Sequence, residues 1–193
     1  RYADVSAQTM WETFMPPYEA GVKAGAATLM SSFNDISGIP ASANPYTLTE
    51  ILKKRWKHDG FVVSDWGSVE NLIPQGFAKD KKEAAYMSFM AGVEMDMVDN
   101  LYVENLQQLV LEKKIPMSKI DDAVKRILRI KFRLGLFEQP YVIELPEQER
   151  YYEPKSMAIA AQLAAESMVL LKNNQQTLPL NTSIKKIALI GPM

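Results

Sequence analysis

Residues 60–69 read GFVVSDWGSV. Phe61-Val62-Val63 is a short aromatic and β-branched run between Gly60 and the polar Ser64-Asp65-Trp66-Gly67, which is how a buried strand of a parallel sheet reads. Asp65 then stands at the C-terminal end of a strand, the place where both open α/β sheets and α/β barrels bind their ligands.

The flanking sequence extends this reading. Upstream, Thr47 with Glu50 is a capping-box pattern that predicts a helix over 48–57, with Leu48, Ile51, Leu52 and Trp56 on one face. His58-Asp59-Gly60 stops it, and His58, between Lys57 and Asp59, reads as an ordinary surface histidine. Earlier still, AATLMSSF over 26–33 reads as a buried strand that the turn-rich Asn34-Asp35-Ile36-Ser37-Gly38 closes. Downstream, Asp80 with Glu83 caps a helix through Met90, Gly92 ends it, and 93–97 is a third strand candidate. Strands alternating with helices argue for parallel βαβ units with right-handed crossovers. Two helices follow, over 101–112 and, capped by Ser118, over 119–134. The second carries Ile120, Val124, Ile127, Leu128 and Ile130 as a core stripe and ends at Gly135. Three strands are too few to close a barrel, so these residues alone give an open sheet.

Residues 138–156 (EQPYVIELPEQERYYEPKS) have neither helical nor strand periodicity and read as a linker. Beyond them, Pro154 starts a helix expected to reach about residue 172. Residues 184–190 read as an apolar strand ending at Gly191.

Composition narrows the function. The 193 residues carry 22 Lys and Arg against 23 Asp and Glu, a net charge of −1 with both signs interspersed, so no nucleic-acid-binding field is implied. No apolar run approaches the ~20 residues that cross a bilayer, so no membrane partner is expected. The absence of Cys excludes thiolate metal sites and cysteine nucleophiles, and a single His excludes multi-histidine metal sites. The chain opens Arg-Tyr-Ala-Asp, without an initiator Met, and reads as a piece of something longer.

Asp65 is the leading candidate for chemistry. A carboxylate nucleophile serves glycosyl transfer to water or phosphoryl transfer through an aspartyl phosphate. Aspartyl-phosphate enzymes of the haloacid-dehalogenase type end the strand in Asp-x-Asp, whereas position 67 here is Gly, which disfavours that class. Trp66 beside a carboxylate offers the apolar ring face that sugar sites use. Retaining glycoside hydrolysis needs a second carboxyl about 5 to 5.5 Å away, and strands ~4.8 Å apart nominate Asp96, with Glu94 and Asp99 as weaker choices. The alternative for Asp96 is a structural carboxylate that caps the helix beginning at Leu101.

Taken together, KAGAATLMSSFNDISGIPASAN (23–44), GFVVSDWGSV (60–69), AGVEMDM (91–97), AVKRILRIKFRLGLFEQPY (123–141), AAESMVLLKNNQQTLPL (164–180) and KKIALIGP (185–192) resemble glycoside hydrolase family 3, its β-glucosidase branch. The motifs are colinear over essentially the whole chain. The resemblance implies that residues 1–137 are the C-terminal part of a TIM-like barrel, 138–156 an interdomain linker, and 157–193 the first helix and strand of an α/β sandwich domain.

It further implies a retaining exo-β-glycosidase without metal or organic cofactor, acting on a β-glucoside or oligosaccharide, from a periplasmic or secreted parent. In the family pattern the Asp of S-D-W is the nucleophile, here Asp65. Trp66, Met30 and Phe33 fall where the family lines the subsite of the cleaved sugar. The usual M-S-A-Y-N has a Tyr where this chain has Phe33, so a hydroxyl that steadies the nucleophile is absent. The acid/base Glu lies beyond Met193 and the Lys-His and Arg substrate clamps lie before Arg1. Asp96 thereby loses its candidacy as the acid. The chain alone is expected to turn over little natural substrate, and a split or non-catalytic piece that needs the remaining part of the same enzyme is the competing reading.

Overall fold

A computed structural model describes residues 2–146, 153–188 and 190–191, which fall into two compact units, Arg1–Tyr141 and Val142–Met193. In the first unit, strands β1 (Tyr2–Ala3), β2 (Thr28–Ser31), β3 (Asp35–Ile36), β4 (Ile39–Pro40) and β5 (Phe61–Ser64) form two small sheets. β2 and β5 pair in parallel, with Leu29 opposite Val62 and Ser31 opposite Ser64. The crossover between them is the helix Tyr46–Arg55, so the expected βαβ unit is present. The other sheet carries no clear signal in the sequence. β1 pairs in parallel with β3, and β3 turns back on β4 through Ser37 (φ 50°) and Gly38 (φ 82°), the two positive-φ residues of a tight hairpin.

Strand alternation sets which side of the β2–β5 pair is covered. Val62 and Ser64 are fully buried, Ser31 nearly so, and these residues face the helices. Met30 and Val63, opposite one another in register, belong to the other face, where Met30 is 53% exposed. The strand expected over 26–33 contracts to Thr28–Ser31, because pairing with β5 ends at Ser64. The strand expected over 93–97 reduces to one parallel bridge, Met95 beside Val63, although Glu94 and Met95 both donate to Val62 O and Ser64 donates to Met95 O.

The helix predicted over 48–57 starts earlier and is wider than an α-helix: Tyr46–Arg55 closes i→i+5 hydrogen bonds, among them Trp56 N to Ile51 O at 2.9 Å. Its start is set by buried Asn44, whose Oδ1 accepts from Tyr46 N (3.0 Å) and Thr47 N (3.3 Å), and not by Thr47. Thr47 instead donates its hydroxyl to Asn44 O. The helix Lys81–Ala91 matches its sequence signals: Asp80 accepts from Glu83 N at 2.8 Å, and Gly92 takes a left-handed φ of 116° as the C-terminal cap. A Cβ at Gly92 would lie 2.7 Å from Lys53 Nζ.

The helix Leu101–Leu111 follows, then Met117–Arg133, which begins after Pro116 and draws no cap from Ser118. Ala123 and Ile130 are buried on that last helix, while Val124 and Leu128, expected in the core, are exposed among the described residues. The main core lies between Lys81–Ala91, Leu101–Leu111 and the turn around Leu72, with Val69, Leu72, Leu101, Leu109 and Ile115 almost wholly enclosed. His58 departs from its reading as a surface residue: it is 4% exposed, with Nε2 3.1 Å from Ala26 O. Arg126, on the helix Met117–Arg133, closes the turn over it by donating to His58 O and Gly60 O.

The second unit holds the helix Pro154–Glu166, capped by Glu153, which accepts from Ser156 N at 2.7 Å. The helix stops at Glu166 rather than near residue 172. The strand expected over 184–190 is not in a ladder at its described residues, and Leu189 lies outside them. A parallel strand needs a neighbour to satisfy its backbone, and no described segment of this unit supplies one.

Candidate active site

Asp65 follows β5 directly, and its backbone is held from both sides. Its N–H donates to Ser31 O at the end of β2 (3.2 Å), and its C=O accepts from Ser68 N (3.1 Å) in the turn beyond. The residue as a whole is half-buried, and Oδ1 accepts the N–H of Trp66 at 2.7 Å, which fixes the side chain against its own turn. Continuing the alternation of β5, Asp65 shares the less covered face with Val63 and Met30. Trp66 is 67% exposed, so its indole is free to meet a ligand. Gly67 has a φ of 71°, a left-handed turn that lets the chain reverse after Trp66.

The other residues singled out from sequence divide. Met30, on β2, and Phe33, two residues past its end, lie at the same C-terminal end of the parallel pair as Asp65 and Trp66. Phe33 is half-buried and its carbonyl accepts from Gln75 Nε2 at 3.2 Å.

Asp96 takes up the structural alternative offered for it in the sequence. Its Oδ2 accepts from Leu101 N at 2.8 Å and Tyr102 N at 3.4 Å, so it caps the helix Leu101–Leu111. Burial raises its pKa above the ordinary carboxylate value, and the nearby Asp99 adds to that. Asp99 is likewise occupied, accepting from Glu70 N at 2.9 Å. Glu94 accepts from Val62 N at 2.8 Å through Oε2 and pairs with Lys53 through Oε1. That ion pair is enclosed, with side chains 10% and 6% exposed, and burial holds the Lys53 pKa below its usual value against the opposing pull of Glu94. Each of these carboxylates thus has a structural task at the strand or helix ends.

Sequence reasoning missed a chain of buried hydroxyls beside Asp65. Ser42 Oγ lies 2.8 Å from Ser31 Oγ and 2.8 Å from Ser68 Oγ. No local signal marks them, since the three serines come from separate segments joined only by folding. Among the described residues no group of three or more His, Asp or Glu could hold a metal ion. An apolar cavity of about 290 Å³, lined in part by Phe14, Tyr18, Leu29, Leu48, Leu52 and Trp56, also belongs to this unit, and Asp65 is not among its lining residues.

A parallel strand delivering a carboxylate and an exposed indole to its C-terminal end suits nucleophilic chemistry on a ring-shaped polar substrate. Comparisons with known proteins agree in kind. Residues 1–130 match the glycosyl hydrolase family 3 N-terminal domain. The periplasmic beta-glucosidase of Salmonella typhimurium is 36% identical over 195 residues, covering 98% of this chain and 25% of that protein. A beta-xylosidase of Formosa agariphila is 37% identical over 202 residues, covering 99% of this chain and 28% of that protein.

The fold also matches the beta-glucosidase of Listeria innocua solved with isofagomine, at a TM-score of 0.84 and 35% identity, covering 93% of this chain and 25% of that one. This chain therefore spans about a quarter of the length of the relatives it matches. On the family match and these relatives, the chain belongs to glycosyl hydrolase family 3.

Proposed function

We propose that this chain is part of a retaining exo-β-glycosidase that removes terminal β-linked glucose or a similar sugar, with Asp65 as nucleophile. The observation that carries the reading is the placement of Asp65: one residue past a parallel strand, backbone-anchored at both N–H and C=O, on the uncovered face of the pair. The Asp65 carboxylate attacks the anomeric carbon and the bond to the leaving-group oxygen breaks. The glycosyl-aspartate is then released by water. Trp66 supplies an apolar platform for the sugar ring, and Met30 and Phe33 line the same subsite. Family membership and the beta-glucosidase and beta-xylosidase relatives support the substrate class.

In this reading residues 1–137 are the last part of a TIM-like barrel, 138–156 the linker, and 157–193 the start of an α/β sandwich domain. The leaving-group acid and the opposite wall of the barrel come from elsewhere in the parent, so the chain alone has little turnover. The periplasmic relative favours a periplasmic or secreted parent.

The test is intact-protein mass after incubation with a 2-deoxy-2-fluoro-β-glucoside bearing an activated leaving group, followed by peptide mapping. Such a reagent does not need the acid for its first step. An adduct on Asp65 in the intact enzyme is expected, together with feeble turnover of natural glycosides by the 193-residue chain. An adduct on any other carboxylate rejects Asp65 as the nucleophile.

A further inference from the structure

We propose that Ser42 is a positioning residue for Asp65, an inference that rests on Asp65 being the nucleophile. The hydrogen bonds around Asp65 close into a ring. Asp65 N–H donates to Ser31 O, and Asp65 C=O accepts from Ser68 N–H. The side chains of those same two residues meet at one atom, Ser42 Oγ, at 2.8 Å each. Ser42 is thus the clasp that joins the end of β2 to the turn after β5, with the Asp65 peptide held between them.

Burial gives the clasp its force. Ser31, Ser42 and Ser68 are 3%, 1% and 3% exposed, and Ala41, Ala43 and Val69 beside them are buried too. A hydroxyl in such surroundings is costly to leave unpaired, so the three O–H groups hold one another in a fixed arrangement. Ser31 and Ser42 are 11 residues apart and Ser42 and Ser68 are 26 apart. Among the described residues, no other side-chain hydrogen bond ties the Ala41–Ala43 turn to both segments. Without the Ser42 hydroxyl, Ser31 and Ser68 each lose the partner they have. The strand end and the turn then stay joined through the Asp65 peptide and the β2–β5 ladder but lose their side-chain tie. The turn is held less firmly, and the Asp65 carboxylate follows it, since its Oδ1 is anchored to Trp66 N of the same turn. In-line attack on a sugar carbon tolerates little misplacement of the attacking oxygen, whereas the apolar contact of a sugar ring with the Trp66 indole, which moves with the same turn, is less sensitive to a small shift.

The experiment measures the inactivation of the intact enzyme by a 2-deoxy-2-fluoro-β-glucoside, which reads nucleophilic attack alone, beside its thermal midpoint. Ser42→Ala is expected to lower the inactivation rate constant about tenfold while the inactivator's dissociation constant stays within about twofold. Ser68→Ala should do the same, and the double variant should be no slower than Ser42→Ala, because both act through one ring. Ser68→Ala decides the matter if Ser42→Ala does not fold. An unchanged rate constant accompanied only by a lower thermal midpoint overturns the proposal and leaves Ser42 a packing residue. Wild-type labelling at a residue other than Asp65 overturns the catalytic reading itself, which is a separate outcome.

Discussion

Asp96 Oδ2 lies 2.8 Å from the backbone nitrogen of Leu101, so the carboxylate that strand spacing nominates as a partner of Asp65 is committed to the first turn of a helix. Asp65 has the opposite disposition: its backbone is anchored and its carboxylate hydrogen-bonds within its own turn, to Trp66 N. The two acids therefore separate experimentally. Asp96→Ala is expected to cost about 0.5 to 2 kcal/mol of stability, the range for loss of a helix cap, and to leave kcat within severalfold of wild type. Asp65→Ala is expected to abolish turnover at nearly unchanged stability. Urea denaturation and steady-state kinetics on both variants of the intact enzyme check this, and a catalytic collapse in Asp96→Ala with full stability would refute the division of roles.

The enclosed Lys53–Glu94 pair joins the π-helix Tyr46–Arg55 to the start of β5, because Glu94 also accepts from Val62 N. Truncating one member strands the other charge inside. Glu94→Ala is expected to destabilise by about 3 to 5 kcal/mol, whereas replacing both residues by apolar ones of similar size costs much less. A single-variant loss under about half a kilocalorie per mole, read from denaturation midpoints, would show that the pair is solvated instead.

His58 makes stability depend on pH in a definite direction. Burial depresses its pKa below the ordinary histidine value, opposed by the Ala26 carbonyl. The folded chain then binds the proton less well than the unfolded one. Stability is fully present above the unfolded histidine pKa and falls as pH drops through it. His58→Gln keeps a donor for Ala26 O and removes the titration. The difference between wild-type and His58→Gln stability is therefore expected to shift against wild type between about pH 7.5 and about pH 5.5. A pH-independent difference contradicts the buried neutral imidazole.

Two glycines should respond oppositely to alanine. A Cβ at Gly60 would lie 1.8 Å from Ala27 O, so Gly60→Ala pushes β5 away from the chain leading into β2. At Gly21, in the helix Met15–Lys23, a Cβ would meet nothing within 4 Å, and the backbone there is ordinary helix. Gly21→Ala is expected to stabilise by about 0.5 to 1 kcal/mol, and Gly60→Ala to destabilise by more than that. Thermal midpoints that move in the same direction would be inconsistent with this packing.

The local signals served the fold well wherever they were complete within a few residues. The β-branched run before Asp65, the Asp80–Glu83 cap and Gly92 each name an element that is present. The signals failed where a residue outside the expected pattern took over. Asn44, not Thr47, starts the π-helix, because its side chain reaches the backbone donors first. His58 is buried because Arg126, 68 residues away, seals the turn that contains it. The segment over 93–97 has strand-like residues but forms one bridge, and Asp96 within it turns to the helix that follows.

The parallel β2–β5 unit, the placement of Asp65 and Trp66 after β5, and the family to which the chain belongs are all legible in the order of the residues. All of these rest on short-range patterns of burial, capping and motif order. Which carboxylates are bound to backbone amides, that Lys53 and Glu94 are enclosed together, and that Ser31, Ser42 and Ser68 close a ring around the Asp65 peptide emerge only in the folded chain. Apart from the Asp96–Leu101 cap, which spans five residues, those facts depend on hydrogen bonds between residues far apart in the chain, and such bonds exist only once packing has excluded water from between them.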